Sequence, residues 1–317
     1  MMKIVVLDGY TMNPGDLSWE PLERLGDLQV FPRTPEELIV QRSSSADILL
    51  TNKTPLMAAT LKQLPNTKFI ACMATGYNVI DIAAARSRGV PVSNVPIYST
   101  QSVAQHVFAM VLSLHHQPQL HHDAIQNGQW KGDFSFTLNP ITELVGKTMG
   151  IIGYGRIGDA VGRLASAFGM HVKAYRRTPG EPASYDRFEW ASKEEVIAES
   201  DYLSIHCPQT ETNGGMINAD FLKRMKPTAI LINTARGGLV NEADLAQALG
   251  DGVIAGACID VVSAEPIASD NPLLGAPNCL LTPHIAWSTI EARTRLLQTT
   301  AENVAAFQNG NPINVVN

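Results

Sequence analysis

Three glycines near the middle of the chain constrain its fold more than any other feature. They stand in the segment GYGRIG at positions 153–158, which follows an apolar run and opens a stretch of helical spacing. Gly153 allows a tight turn, Gly155 lets the backbone approach a pyrophosphate, and Gly158 lets the helix pack closely on its strand. The segment therefore predicts the phosphate-binding turn of a dinucleotide-binding fold. Because this spacing alone is a weak signal, its partners must be found elsewhere in the chain.

The position of the turn predicts how the chain is divided into domains. About half of the 317 residues precede it, and short apolar runs alternate with helical segments on both sides of it. This alternation is typical of parallel sheets with helical crossovers. We predict an α/β protein with two doubly wound parallel-sheet domains. A Rossmann-type cofactor domain (residues 101–286) is expected to be inserted into a flavodoxin-like substrate domain (residues 1–100 and 287–317).

Short apolar runs predict the strands of both domains. They are Ile4–Leu7, Ile48–Thr51, Phe69–Met73, Val90–Val95, Met149–Ile152, Val172–Tyr175, Leu203–Cys207, Ile230–Thr234, Ile254–Asp260 and Cys279–Thr282. Two longer segments, Ser102–Gln117 and Ser288–Asn309, have helical spacing, and the second is expected to return to the first domain. Residues 127–143 have no period, which predicts an irregular arm.

Composition argues against several classes of function. Apolar residues make up 45% of the chain, charged residues 17%, and the net charge is −6. That leaves no basic excess to attract nucleic acid or an anionic membrane. The four cysteines lie in apolar runs without motif spacing, and the histidines around Pro118 lack the spacing and companions of a metal site. These residues therefore predict no metal site. Since the apolar start of the chain is too short for a signal peptide, we predict a cytoplasmic protein.

The residues after the second strand of the cofactor domain bear on which dinucleotide binds. Arg176, Arg177 and Thr178 stand where an acidic residue usually holds the adenosine ribose, about 20 residues after the glycine turn. A guanidinium cannot accept hydrogen bonds from the ribose hydroxyl, but it binds a 2′-phosphate well. This predicts NADP(H) in preference to NAD(H). The alternative is a solvated arginine pair with use of both cofactors.

Three polar residues, Arg236, Glu265 and His284, each follow a different late strand. If these strands are parallel, all three emerge at the carboxyl edge, where open α/β sheets bind ligands. Hydride transfer to a 2-oxo acid requires a proton for the carbonyl oxygen, and an imidazole titrates near neutral pH, so His284 is the candidate acid and, in reverse, base. Glu265 would orient the ring, and Arg236 would bind the substrate's carboxylate and carbonyl oxygen. Each residue alone could belong to an ordinary turn, but the shared edge favours an active site.

Other polar residues leave alternatives open. Gly76 follows a strand of the first domain, and its backbone could bind a carboxylate or form a plain strand-to-helix turn. Asp260 could bind the nicotinamide amide or cap the chain at the end of its strand. His206 is interpreted as buried with one bonded nitrogen rather than as part of a cofactor cleft. His106 is interpreted as structural.

Several segments together resemble the D-isomer-specific 2-hydroxyacid dehydrogenase family, with order and spacing that agree along nearly the whole chain. They are the glycine turn, Asn233–Gly238, Asp260–Pro266 and the dipeptide Pro283-His284. The segments Asn52–Pro55 and Ala74–Asn78 resemble its branch of glycerate dehydrogenases and hydroxypyruvate or glyoxylate reductases. Arg176 departs from the acid common in the family.

The resemblance implies roles for further residues. Thr75 and Gly76 would contribute backbone to binding of the carboxylate, and Ser102–Gln117 with the arm at 127–143 would form a homodimer contact. With the glycine motif, it implies cofactor contacts at Gly153, Gly155, Arg156, Ile157, Gly158, Arg176, Arg177, Thr178, Cys207, Pro208, Thr234, Ala235, Arg236, Asp260 and His284.

The residues and the resemblance together predict an oxidoreductase. It would reduce a small 2-oxo acid, hydroxypyruvate or glyoxylate, to the D-2-hydroxy acid with NADPH, with His284 as the proton donor. One alternative is NAD-dependent oxidation of another D-2-hydroxy acid. Another is a non-catalytic NAD(H)-sensing module like the corepressor relatives of this fold. The complete set of Arg236, Glu265 and His284 argues against that module.

Overall fold

A computed structural model describes all residues from 1 to 317. It contains a five-stranded and a seven-stranded sheet, and every strand pair in both sheets is parallel. The prediction of an α/β protein with two parallel-sheet domains is therefore confirmed. The chain divides into two compact units, one of Met1–Ser99 with Ser288–Asn317 and the other of Thr100–Trp287.

Strands and helices are numbered here in chain order. The strands are β1 (Lys3–Val6), β2 (Asp27–Val30), β3 (Ile48–Thr51), β4 (Phe69–Cys72), β5 (Val92–Ser93), β6 (Thr148–Ile152), β7 (His171–Tyr175), β8 (Phe188–Trp190), β9 (Tyr202–Ile205), β10 (Ile230–Asn233), β11 (Gly256–Ile259) and β12 (Cys279–Leu281). The α-helices are α1 (Gly9–Met12), α2 (Glu20–Glu23), α3 (Ile39–Ser43), α4 (Ala58–Lys62), α5 (Ile82–Ser87), α6 (Thr100–His116), α7 (Pro118–Gln126), α8 (Arg156–Ala167), α9 (Lys193–Glu199), α10 (Ala219–Leu222), α11 (Glu242–Gly250) and α12 (Ile290–Gln308).

The first unit is built on the sheet of order β2-β1-β3-β4-β5. All residues of β3 and β4 are buried, as expected for a parallel sheet that is covered on both faces. Helix α12 belongs to this unit, since the ring of Phe307 stacks on that of Phe69 with centroids 4.6 Å apart. After the helix, the N–H of Val316 donates to the carbonyl of Val92 at 2.8 Å. The C-terminal segment thus completes the core that the N-terminal strand begins.

The second unit is built on the sheet of order β12-β11-β10-β9-β6-β7-β8. The chain runs outward from β6 through β7 to β8 and then returns to β9 on the other side of β6. The strand order therefore reverses between β6 and β9. Ligands of open α/β sheets bind at the carboxyl end of such a switch point. The glycine turn follows β6 directly, so the fold places it at this crevice.

Several helices begin at a side-chain cap. The hydroxyl of Thr289 accepts the N–H of Ala292 at the start of α12, and Ser192 forms a reciprocal capping box with Glu195 at the start of α9. The side chain of Asn241 caps α11, which follows the turn after β10.

None of the helices combines the length and the apolar composition that crossing a bilayer would require.

The sequence did not predict β2 and β8. Both are outer strands of their sheets, and only one residue in two of β2 is even partly buried. Polar residues such as Asp27 and Glu189 interrupt their apolar pattern, because an edge strand needs little burial on its open side. The run Val90–Val95 was predicted as one strand, but only Val92–Ser93 pairs with the sheet.

Candidate active site

The glycine turn forms an open cradle at the switch point. Gly153 has a φ of 95°, and a Cβ there would lie 2.4 Å from the backbone nitrogen of Cys207. At Gly155 no atom lies within 4 Å of the place where a Cβ would stand. A Cβ at Gly158 would lie 3.0 Å from the carbonyl oxygen of Gly153. The backbone is therefore exposed at the start of α8, where a helix stabilises a phosphate.

A nicotinamide dinucleotide fits the residues around this cradle. Arg156 and Ile157 open α8 directly after the turn. At the end of β10, the hydroxyl oxygen of Thr234 is buried and has no hydrogen-bond partner within the protein. A buried hydroxyl without a partner costs free energy, so such a group points to a ligand that supplies one. The glycine turn would hold the pyrophosphate in the middle of the dinucleotide, and Thr234 would lie toward its nicotinamide end.

The arginine pair after β7 lies beside the cradle. The N–H of Gly153 donates to the carbonyl of Tyr175 at 2.9 Å, which fixes the end of β7 against the turn. The next residues, Arg176, Arg177 and Thr178, are all exposed. The guanidinium carbon of Arg176 lies 5.5 Å from the centre of the Trp190 ring, and Arg176 Nε donates to the carbonyl of Thr178. Neither arginine forms an ion pair with a carboxylate, so both guanidinium groups are available to an anion.

His206 and Cys207 follow β9, and their backbone lies against Gly153. Burial lowers the pKa of His206 to about 4, and its Nε2 lies 2.8 Å from the hydroxyl of Ser204. The imidazole is therefore uncharged at neutral pH, in agreement with the interpretation as a residue with one bonded nitrogen. Burial also raises the pKa of the Cys207 thiol. Contacts of Cys207 and Pro208 with a cofactor stay a prediction.

His284 and Glu265 form a hydrogen-bonded pair. Glu265 follows β11 and His284 follows β12, and these strands are neighbours in the sheet. The Nδ1 of His284 lies 2.7 Å from Oε2 of Glu265, and both side chains are partly exposed. His284 has a φ of 55°, a left-handed value that is uncommon outside glycine and occurs often at functional sites. Glu265 therefore binds Nδ1 of the imidazole and not Nε2.

Asp260 holds the chain around His284. Its side chain is fully buried and accepts hydrogen bonds from Ile285 N at 2.9 Å, Ala286 N at 3.0 Å and the hydroxyl of Thr282 at 2.6 Å. Its backbone carbonyl accepts the N–H of His284 at 2.8 Å. These bonds correspond to the capping role that the sequence left as the alternative. Contact of this buried carboxylate with the nicotinamide amide has no support in this arrangement and stays a prediction.

Arg236 stands in a turn after β10, the neighbour of β11. The side-chain amide of Asn233 donates to the carbonyl of Arg236 at 2.9 Å, and the N–H of Ala235 donates to the oxygen of the same side chain at 3.0 Å. Arg236 is exposed, and its guanidinium donates only to the carbonyl of Ala235, at 2.7 Å. Because β10, β11 and β12 are adjacent and parallel, Arg236, Glu265 and His284 emerge at one edge of the sheet, as predicted.

The turns after β10 and β11 are packed directly on each other. A Cβ on Gly237 would lie 1.9 Å from the carbonyl carbon of Val262 and 2.5 Å from the nitrogen of Ser263. The N–H of Val262 in turn lies 3.4 Å from Oε1 of Glu265. The absence of a side chain at Gly237 therefore lets the turn that carries Arg236 lie against the turn that carries Glu265.

In the first unit, Thr75 and Gly76 follow β4. The hydroxyl of Thr75 donates to the carbonyl of Val95 at 2.8 Å, whereas no hydrogen bond within the protein uses the N–H of Thr75 or Gly76. Free N–H groups of consecutive residues suit an anion. Their contact with a substrate carboxylate stays a prediction.

No role was predicted for Asp8, yet it shapes this edge of the first sheet. Its buried carboxylate accepts the N–H groups of Asn52 at 2.8 Å and Thr54 at 2.7 Å, and also that of Lys53. A carboxylate directly after a first strand, with a polar turn after the neighbouring strand, is the sequence signal that could have identified it. The amide of Asn52 also donates to the carbonyl of Met73.

The fold and these side chains define a class of protein: an oxidoreductase with a nicotinamide dinucleotide site at the switch point of a doubly wound sheet. Residues 108–286 match the family model described as "D-isomer specific 2-hydroxyacid dehydrogenase, NAD binding domain". The chain belongs to the D-isomer-specific 2-hydroxyacid dehydrogenase family.

Relatives and solved structures support this assignment over the full chain. The chain is 44% identical to a hydroxypyruvate reductase of Blautia hydrogenotrophica, with all of both chains covered. It is 42% identical to a glycerate dehydrogenase of Methylorubrum extorquens over 89% of each chain. Its structure is similar to that of an acyclic imino acid reductase solved in complex with NADPH and D-Arg, with a TM-score of 0.85, 31% identity and full coverage of both chains.

Proposed function

We propose that the protein reduces a small 2-oxo acid, hydroxypyruvate or glyoxylate foremost, to the D-2-hydroxy acid with NADPH. The observation that carries the proposal is the contact of 2.7 Å between His284 and Glu265, at the same edge of the sheet as Arg236. The names of the relatives, among them hydroxypyruvate and glyoxylate reductases, support the substrate class. Bound NADPH would supply the hydride that the carbonyl carbon accepts.

The proton comes from His284. Glu265 accepts a hydrogen bond from Nδ1, so Nε2 is the nitrogen that exchanges a proton with the substrate oxygen. In reduction the imidazolium gives its Nε2 proton to the carbonyl oxygen, and the neutral ring keeps its bond to Glu265. In oxidation the same nitrogen removes the proton of the hydroxyl group. Because the pair is fixed before substrate arrives, the ring is oriented without further loss of freedom.

Arg236 supplies positive charge to the substrate. Its exposed guanidinium has one carbonyl partner and no carboxylate partner, so most of its donors are available. A fork of donors suits a 2-oxo acid, whose carboxylate and carbonyl oxygens lie in one plane. The charge also offsets the negative charge that develops on the carbonyl oxygen. Thr75 and Gly76 are further candidates for binding the carboxylate through their N–H groups.

The preference for NADPH rests on the residues beside the cradle. Arg176 and Arg177 are exposed and form no ion pair with a carboxylate, and no acid stands where the ribose hydroxyl would need an acceptor. Charge-assisted bonds to a 2′-phosphate are each worth about 1.5–3 kcal/mol. We expect wild-type kcat/KM to be highest with hydroxypyruvate or glyoxylate and NADPH, when both are compared with pyruvate and phosphohydroxypyruvate and with NADH. No oxidation of either reduced cofactor by any of the four acids would refute the function.

Replacing Arg176 with Asp tests the cofactor assignment. We expect the ratio of kcat/KM for NADPH to that for NADH to fall by about 10- to 100-fold, since a carboxylate repels the phosphate and can accept from a ribose hydroxyl. Arg187→Asp is the matched control. Arg187 comes directly before β8, so it lies at the amino edge of the sheet, away from the glycine turn, where it binds the carbonyl of Gly169. A wild-type enzyme that prefers NADH, or an unchanged ratio in Arg176→Asp, contradicts the assignment.

We also propose that the protein forms a homodimer through the arm and the predicted segment Ser102–Gln117, together with the neighbouring α7. Large apolar side chains are concentrated there and exposed: Leu120, Ile125, Trp130, Phe134, Leu138 and Ile141. A surface with this much exposed apolar area usually meets another protein. Sedimentation equilibrium should give twice the mass of the chain for the wild type and the single mass for Phe134→Asp/Ile141→Asp. Ile313→Asp, at a side chain that is 45% exposed like Ile141, should stay dimeric. A monomeric wild type would overturn this proposal.

A further inference from the structure

One face of helix α6 contacts the segment that carries His284. Ser102, His106 and Met110 stand four residues apart, so they lie on one face of the helix. The hydroxyl of Ser102 donates to the carbonyl of Ala286 at 2.6 Å. His106 Nε2 lies 3.1 Å and Met110 Sδ 3.9 Å from the hydroxyl oxygen of Thr282. This face of the helix therefore holds the segment 282–286 on both sides of His284.

The direction of these hydrogen bonds can be assigned. Thr282 has one hydroxyl proton, and it donates this proton to Asp260 at 2.6 Å. The same oxygen can then only accept from His106, so the proton of His106 is on Nε2. The result is a chain in one direction, from His106 through Thr282 to Asp260. His106 Nε2 also lies 3.5 Å from the Asp260 carboxylate, which forms no ion pair with a lysine or arginine.

This chain ends on the groups that hold His284 in its unusual conformation. The Asp260 carboxylate accepts the N–H groups of Ile285 and Ala286, and its carbonyl accepts that of His284. A left-handed conformation outside glycine persists only where the surroundings enforce it. If the Asp260 carboxylate rotates, two of these bonds are lost and the imidazole moves. A displacement of about 1 Å at a reacting group can lower a rate by about 10²-fold.

We propose that His106 is a positioning residue for proton transfer by His284, acting through Thr282 and Asp260. The inference rests on the proposed function, because it concerns the rate at which His284 gives up its proton. His106 lies 3.1 Å from the hydroxyl of Thr282 and 3.5 Å from the carboxylate of Asp260, so its effect reaches His284 through these two residues. The positioning effect depends on the N–H that His106 donates to Thr282, not on packing of the imidazole ring.

Replacing His106 with Leu removes the donor, and replacing it with Gln keeps a donor at the place of Nε2. With hydroxypyruvate and NADPH, we expect kcat of His106→Leu to fall by about 10- to 100-fold while KM changes little. Gln should restore kcat to within about threefold of the wild type. The solvent deuterium isotope effect on kcat should rise in the Leu variant, because proton transfer becomes slower than the other steps. His116→Leu, an exposed histidine at the end of the same helix, is the matched control.

A double variant separates positioning from simple damage to the fold. Thr282→Val interrupts the chain at its middle link, so adding His106→Leu to it should lower kcat by less than His106→Leu alone does. Melting temperature and NADPH affinity from fluorescence titration are measured for every variant. Equal losses in Leu and Gln variants, fully additive losses, or an unchanged isotope effect would overturn the inference. A wild type that reduces none of the acids would instead refute the proposed function.

Discussion

Replacing His284 with Asn is expected to lower kcat for reduction of hydroxypyruvate by about 10³-fold, within the range that loss of a general acid produces. Asn is the appropriate substitute for two reasons. It tolerates the φ of 55°, and its side-chain N–H can take the place of Nδ1 against Glu265. What it lacks is a titratable group at the place of Nε2. The loss therefore reports on proton transfer rather than on a rearranged backbone.

Binding of NADPH should distinguish the role of His284 from a general defect. We expect the dissociation constant from fluorescence titration to change by less than about threefold, because the substitution keeps the segment 282–286 on Asp260. His171 is the exposed first residue of β7 and lies at the amino edge of the sheet, away from His284. The control His171→Asn should therefore leave kcat unchanged. A His284→Asn enzyme with a near-normal kcat would show that the proton comes from another group.

The edge that carries the site could be predicted from the sequence because its logic is local. Each of Arg236, Glu265 and His284 follows an apolar run long enough for a buried strand. Parallel strands then place all that follows them at one edge. The glycine turn added the switch point, since its three glycines need a close approach of backbone at fixed places. No distance between the three residues had to be known for this prediction.

Contacts between distant segments could not be predicted in the same way. The pairing of His106 with Thr282, and of Asp8 with the turn after β3, depends on which side chains meet once helices and strands have packed. In the sequence, His106 is one of several polar residues on a helix with an apolar face, and a structural role was the reasonable interpretation. Asp260 showed the limit most clearly. Its place at a strand end suggested two roles, and only its burial and its three donors favour the capping role.

A methyl group at Gly237 should damage the site more than its size suggests. The Cβ of Gly237→Ala would meet backbone atoms of Val262 at 1.9 and 2.0 Å, and backbone cannot rotate away as a side chain can. The turn with Arg236 must separate from the turn with Glu265. We expect kcat/KM for hydroxypyruvate to fall by about 10²-fold or more and the free energy of unfolding to fall by about 1–3 kcal/mol.

Gly238→Ala is the matched control for this prediction, because it adds the same methyl group one residue further on. Its Cβ would meet the amide of Gln209 at 2.4 Å, the far end of a flexible side chain that can move away. We expect its kcat/KM to stay within about threefold of the wild type. Kinetics at 25 °C and thermal melts are measured together on both variants. Gly237→Ala with wild-type kinetics would mean that the two turns can separate without disturbing Arg236 and Glu265. The packing of these turns would then not be what aligns the guanidinium with the imidazole–carboxylate pair.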